Sequence, residues 1–196
     1  LIDVPKRVLV VGGGPGGMEA AFTAYSLGHK VKLIEEKEKL GGQLWHAAVP
    51  DSKTEIRKLL EYHIHRIDKS GMELETEKRV DLEDAKMFKP EHIILATGAT
   101  PIEISFPADN ASDNVFQAMD ILMQQMPLKG DVVIIGGGLV GLDTAEFLAS
   151  KGAKVTIMEM NKHVGEGVEW NLKKMKLRSL KKKGIDIITR ALVKKI

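Results

Sequence analysis

The sequence predicts an α/β fold in which one βαβ unit occurs twice, and three observations carry that expectation. Short β-branched runs, RVLVV at 7–11 and VVII at 132–135, end in glycine as buried parallel strands do. Each run enters a G-x-G-x-x-G turn, Gly12-Gly14-Gly17 in one case and Gly136-Gly138-Gly141 in the other, and then a helical stretch. Residues 8–35 fall on 132–159 at an offset of 124 without a gap, and 11 of the 28 positions are identical. A strand–turn–helix–strand unit crosses over right-handed, so both halves are expected to be Rossmann-like.

The elements follow in order. After strand 7–11, residues 15–27 form an Ala- and Met-rich helix stopped by Gly28. Residues 30–35 are the second strand. A loop over 37–50 carries Gly41, Gly42 and Pro50. Ser52 and Glu55 then read as a capping box. Behind it Ile56, Leu59, Leu60, His63, Ile64 and Ile67 repeat at helical spacing. Short strands are expected at 72–76 and 78–82, and a buried one at 92–96. Residues 99–130 hold three of the seven prolines and read as a connection with a short helix near 116–125. The pattern then restarts, with a strand at 131–135, a helix at 140–151 and a strand at 154–159. A helix near 168–183 and strands near 185–189 and 191–195 complete it. KSGMELET (69–76) resembles KKGIDIIT (182–189) at an offset of 113, but nothing in the second copy matches HIILATG (92–98). The expected domains are therefore 1–101, a connection at 102–129, and 130–196, the last truncated. A first residue of Leu1 fits a fragment of a longer chain.

Composition sets bounds. With 43% hydrophobic and 29% charged residues the chain can bury an ordinary core. A net charge of +2 is too small to make nucleic acid or an anionic membrane the main partner. No apolar run reaches a membrane span and no signal peptide precedes the first strand, so a cytoplasmic protein is expected. The chain has no cysteine, hence no disulfide, thiolate zinc site, iron–sulfur ligand or redox dithiol of its own. The six histidines make no metal-ligand pair with a carboxylate, and no metal is expected. His63 reads as packing, and Trp45 either as a cover for a cofactor or, preferred, as a packed loop aromatic. Seven Lys/Arg lie in 173–183. They read as the solvated face of a helix with Trp170, Leu177 and Leu180 inward, rather than as a nucleic-acid patch, since no stacking aromatics are interleaved.

The turns carry the chemistry. Gly12 permits the tight turn, Gly14 lets backbone approach a pyrophosphate, and Gly17 lets the helix close on the strand. The helix N-terminus offers free N–H groups and partial positive charge. Glu35 ends the next strand, where a carboxylate can accept from the hydroxyls of an adenosine ribose. Gly136, Gly138, Gly141 and Glu159 repeat these roles at the same spacing. One such turn also occurs as plain structure, but two in full βαβ context, each with its acid, point to two dinucleotide sites. The acid favours NADH, while Lys162 and His163 behind it leave NADPH open. Asp143 has two readings, a place near the nicotinamide end or a first-turn acid that suits the helix dipole.

On these residues the chain resembles the two-dinucleotide-binding flavoproteins. More narrowly it resembles the C-terminal part of the NADH:flavin oxidoreductase / 2,4-dienoyl-CoA reductase / enoate reductase family, relatives of trimethylamine dehydrogenase. The stretches that carry this are KRVLVVGGGPGGMEAA, EKEKLGGQLWHAAVPDSK, HIILATGATP and VVIIGGGLVGLDTAEFL. The resemblance implies FAD on Gly12, Gly14, Pro15, Gly17 and Glu35, with Gly42 and Gln43 beside it. It matches Val80 to a backbone contact with adenine, and Thr97 and Gly98 to the ATG segment. It implies NAD(P)H on Gly136, Gly138, Leu139, Val140, Gly141 and Glu159. It further implies hydride transfer from NADH to FAD, and onward transfer through a 4Fe-4S cluster to FMN in an N-terminal (β/α)8 barrel that reduces an activated alkene. That barrel would be the partner domain within the parent chain. The absent cysteine pair points away from thioredoxin-reductase-like and lipoamide-dehydrogenase-like relatives. The alternative the resemblance leaves is a non-catalytic module that holds ADP in the first site, as in relatives of trimethylamine dehydrogenase.

Overall fold

The computed structural model describes residues 3–102 and 114–195. The chain divides into two compact units, Leu1–Ala48 with Lys53–Thr100 and Val49–Ser52 with Pro101–Ile196. Residues 103–113 of the expected connection lie outside the described residues.

The first unit contains β1 (Arg7–Val11), α1 (Pro15–Ser26), β2 (Lys30–Ile34), α2 (Leu44–Ala47), α3 (Thr54–Ser70), β3 (Glu73–Glu75), α4 (Leu82–Phe88) and β4 (His92–Leu95). Its sheet has the order β3-β2-β1-β4, parallel throughout. Val10 stands beside Leu33 on one side and Ile94 on the other. Val8, Val10, Val31 and Leu33 pack with Met18 and Ala21 of α1 and with Leu60 and Ile67 of α3 in one core. Side chains alternate along each strand, and Leu9 and Ile34 on the opposite face are buried as well, as expected of parallel strands. Gly71 at φ +75 ends α3 in the left-handed conformation that glycine adopts without strain.

In the second unit α5 (Ala118–Met123) leads to β5 (Asp131–Ile135), α6 (Leu139–Ser150), β6 (Lys154–Glu159), α7 (Trp170–Lys182) and β7 (Asp186–Thr189). The sheet order is β5-β6-β7, again parallel. Ile134, Val155 and Ile157 pack with Leu142, Ala145 and Leu148 of α6 and Leu180 of α7. Ile121 and Leu122 of α5 join that core. The α/β class with parallel, Rossmann-like sheets is as the sequence predicts. No described helix is long and apolar enough to cross a membrane.

Several local expectations are corrected. The strands expected at 78–82 and 191–195 do not form, and for one reason. Glu77 and Arg190 adopt φ +57 and +56, which turns the chain out of the sheet. The amides of Glu77 and Lys78 then donate to Lys37 and Glu35, and those of Arg190 and Ala191 to Asn161 and Glu159. Past the first turn Asp81 caps α4 with a reciprocal capping box shared with Asp84. The capping box expected at Ser52 and Glu55 is absent. Lys53 occupies the cap of α3, and the Ser52 hydroxyl instead donates to Glu146 Oε2 at 3.0 Å. Leu59, expected in the apolar stripe, is 46% exposed. On α7 Trp170 points outward, 66% exposed beneath the Lys174 ammonium, whereas Lys176 is 7% exposed.

Candidate dinucleotide-binding sites

At the C-terminal end of β1 the chain makes its first glycine turn. Gly12 sits at φ +104, and its N–H donates to the Ile34 carbonyl at 2.8 Å. A Cβ there would overlap the Ala96 carbonyl at the end of β4. Gly17 is packed so closely that a Cβ would overlap the Gly12 carbonyl oxygen. Gly14 caps α1 in extended conformation, and the Met18 amide closes the first helical bond on its carbonyl at 2.9 Å. The amides of Gly16 and Gly17 therefore face out of the helix end, and no acidic side chain occupies the first turn. Pro15 supplies the preset φ of the first helical position and lacks an N–H to lose.

Glu35 closes the opposite wall and is 8% exposed. Its Oε2 accepts from the Gly13 amide at 2.5 Å and its Oε1 from the Lys37 amide at 2.9 Å. Each carboxylate oxygen keeps a further lone pair for a hydroxyl donor. Gly42, at φ +51, brings its backbone against Gly14, where an added Cβ would lie 2.9 Å from Gly14 Cα. Gln43 Nε2 donates to the Ala99 carbonyl at 2.8 Å, which ties this loop to the segment carrying Thr97 and Gly98. Val80 lies half-buried in the loop between β3 and α4.

The second unit repeats the clamp atom for atom. Gly136 sits at φ +102, and its N–H donates to Met158 at 2.8 Å. The backbone of Gly138 matches that of Gly14 within a few degrees. Gly141 again leaves no room for a Cβ beside the Gly136 carbonyl. Leu139 and Val140, at the start of α6, are 40% and 46% exposed. Glu159 is 8% exposed and accepts from Gly137 and Asn161, both at 2.7 Å. These two amides, Asn161 first, hold its carboxyl below the usual carboxylate range. The copies differ in their walls. Among the described residues β5 pairs only with β6, and a Cβ on Gly136 or on Gly138 would meet nothing within 4 Å.

Sequence reasoning missed Gly13, Gly137, Lys37 and Asn161, whose amides orient the acids, and Gly41 and Gly165, whose amides brace the turns by donating to Gly13 and Gly137. A signal was present, because Gly41 and Gly165 are themselves 124 apart. Asp143 lies beyond the first turn of α6, which corrects its helix-dipole reading. It is 5% exposed and lies 2.6 Å from Lys176 Nζ, which also meets Glu146 Oε2 at 2.5 Å. The first unit has the same helix-to-helix contact in milder form, with Glu19 of α1 at 3.5 Å from His63 and 2.8 Å from Arg66 of α3. His63, read as packing, thus takes part in this contact. Trp45, 43% exposed, donates its ring N–H to Leu40 at 2.8 Å. Lys162 and His163 are exposed behind Glu159.

A glycine turn at the end of a parallel strand, facing a carboxylate at the end of its neighbour, defines the Rossmann-like nucleotide-binding class, here present twice. The chain belongs to the pyridine nucleotide-disulphide oxidoreductase family, whose pattern matches residues 6–196. It is 44% identical over 160 residues to the NADH oxidase of Thermoanaerobacter brockii, covering 80% of this chain and 25% of that protein. It is 40% identical over 159 residues to the cinnamate reductase of Clostridium sporogenes, covering 81% and 24% respectively. Among solved structures a 2-naphthoyl-CoA reductase in complex with 2-naphthoyl-CoA superposes with a TM-score of 0.90 at 30% identity. That match covers 99% of this chain and 29% of the reductase. The chain thus spans 24–29% of the length of these relatives.

Proposed function

We propose that this chain is the FAD- and NAD(P)H-binding, electron-input part of a flavin-dependent oxidoreductase. The observation that carries the reading is the duplicated clamp, in which a glycine turn opens a helix and a buried carboxylate is held by two backbone amides. Residues 1–101 are assigned to FAD, 130–196 to NAD(P)H and 102–129 to the connection. Gly12, Gly14, Pro15 and Gly17 border the flavin pyrophosphate, and Glu35 accepts from the ribose hydroxyls. Gly42, Gln43, Thr97 and Gly98 border the rest of the cofactor, and Val80 offers backbone to the adenine. Gly136, Gly138, Leu139, Val140 and Gly141 take the second pyrophosphate, and Glu159 its ribose. Bound together, the two cofactors supply hydride transfer from the nicotinamide to the flavin, ahead of an FMN- and 4Fe-4S-containing barrel and an activated alkene.

The residues present fit that pair. The crowding at Gly12, Gly17 and Gly42 leaves backbone rather than side chains at the turn, which is what close approach of a phosphate requires. Glu159 supports NADH over NADPH, because a carboxylate held ionised repels a 2′-phosphate. The chain's own part is binding, orientation and electrostatics. The two sites are separable by substitution in the full-length protein. Glu35→Gln is expected to lower flavin content, while Glu159→Gln leaves flavin content unchanged and weakens reduction by NADH. Equal loss of both properties in either variant contradicts the assignment.

A further inference from the structure

The two copies serve as references for each other, and they part at one place. Gly41 and Gly165 still stand 124 apart, whereas Gly71 and Gly184, which follow α3 and α7 at φ +75 and +71, stand 113 apart. The first copy therefore carries eleven residues more between the brace at Gly41 and the end of α3. That stretch holds α2, which continues the flavin-side loop over residues 41–48. It also holds Val49–Ser52, which belongs to the second unit although Ala48 before it and Lys53 after it belong to the first. The second copy makes no such excursion, since Pro101–Ile196 lies within one unit.

The excursion is anchored. Val49 packs against the second core, and Pro50 is fully buried. Pro50 fixes its own φ and restricts Val49, so the segment has little slack. The Ser52 hydroxyl donates to Glu146 Oε2 at 3.0 Å, and Glu146 is 4% exposed. A hydrogen bond to an ionised carboxylate is among the stronger ones. The repeat does not account for this carboxylate. Asp143 and Lys176 match Glu19 and His63, but Glu146 stands where the first copy has Phe22, and Ser179 where it has Arg66. The Arg66 guanidinium lies 3.7 Å over the Phe22 ring, and in the second copy the Ser179 hydroxyl fills that contact by donating to Glu146 Oε1 at 2.8 Å. The bond from Ser52 is the addition. On the other side of Val49, the amides of Ala47 and Ala48 donate to Gln43 and Leu44 at 3.1 and 2.9 Å, and Gln43 holds the Ala99 carbonyl. From Ala48 to Ser52 the chain reaches roughly 14 Å at most, too short a tether for the loop to ignore where Ser52 is held.

We propose that Val49–Ser52 is a strap through which the second unit holds the flavin-side loop, and that Ser52, acting through Glu146, is a positioning residue for hydride transfer. The positioning role rests on the FAD and NAD(P)H reading, whereas the strap does not. A misplacement of about 1 Å between reacting groups costs up to about a hundredfold in rate, so the hold on Gly42 and Gln43 has a kinetic consequence. The test compares two serines on one carboxylate in the full-length protein. Ser52→Ala and Ser179→Ala each remove one hydroxyl from Glu146, and Ser52→Thr keeps it. In hydrogen exchange read by mass spectrometry, Ser52→Ala is expected to speed exchange over residues 41–48 at least threefold, with β1 and α6 unchanged. Ser179→Ala and Ser52→Thr are expected to match the parent chain there. On rapid mixing with NADH, Ser52→Ala is expected to lower the limiting rate of flavin reduction at least threefold at unchanged Kd for NADH, and Ser52→Thr to restore it. Unchanged exchange over 41–48 in Ser52→Ala overturns the strap, as does equal acceleration in Ser179→Ala. Faster exchange at an unchanged limiting rate overturns the positioning role. ADP in place of FAD defeats the cofactor reading and the positioning role with it, while the exchange comparison still decides the strap.

Discussion

Glu159 illustrates how a residue is prepared before any ligand arrives. The Asn161 and Gly137 amides fix its two oxygens and keep it ionised, and the remaining lone pairs face the turn. Loss of a hydrogen bond to a charged group costs about 1.5–3 kcal/mol, so Glu159→Gln is expected to raise the Kd for NADH roughly tenfold or more, read by titration. Its lowered pKa also gives a pH expectation. NADH affinity should not lose the contribution of Glu159 until the pH falls below the ordinary glutamate range near 4.5. Gly17→Ala puts a methyl onto the Gly12 carbonyl, and overpacking of this kind costs about 1–3 kcal/mol. Thermal melting should show the loss, with cofactor binding weakened alongside it. These residues were legible in the sequence because turn and acid stand at fixed spacing in two copies. Asp143 was not, because its partner Lys176 is 33 residues away among lysines read as the solvated face of their helix.

At the scale of elements, the contact of α6 with α7 is the most consequential. Lys176 stands between Asp143 and Glu146, and Glu146 also accepts from the hydroxyls of Ser52 and Ser179. Burial pushes the Glu146 carboxyl up, but hydrogen bonds from Lys176, Ser179 and Ser52 outweigh it and hold the group below its usual value. Removing the lysine leaves two buried like charges. Breaking a buried pair typically costs about 3–5 kcal/mol, so Lys176→Met should destabilise the second unit by that order in denaturant unfolding. The sign with pH follows from the depressed carboxyl. The stabilisation from Glu146 is complete above the ordinary glutamate pKa and is lost as pH falls through the lower folded value. A Glu146→Gln variant should therefore show a shallower acid limb than the parent chain. Strand cores and long helices could be read from periodicity, whereas the ends of β3 and β7 could not. There a single left-handed residue turns the chain, and hydrophobic patterning carries no record of it.

For the whole molecule, duplication is the organising fact. It was legible as an ungapped stretch of identities, and the structure extends it to the braces at Gly41 and Gly165 and to the turns at Glu77 and Arg190. The difference beside Gly12 and Gly136 was legible too, since HIILATG, which supplies the Ala96 wall, has no counterpart within the second copy. The central claim is that the two clamps take FAD and NADH. It is tested most directly on the full-length protein, by releasing and identifying its nucleotides and recording the visible spectrum before and after anaerobic addition of NADH. The account predicts FAD among the released nucleotides and bleaching of the flavin band by NADH. ADP in place of FAD, with a spectrum that NADH leaves unchanged, would contradict it.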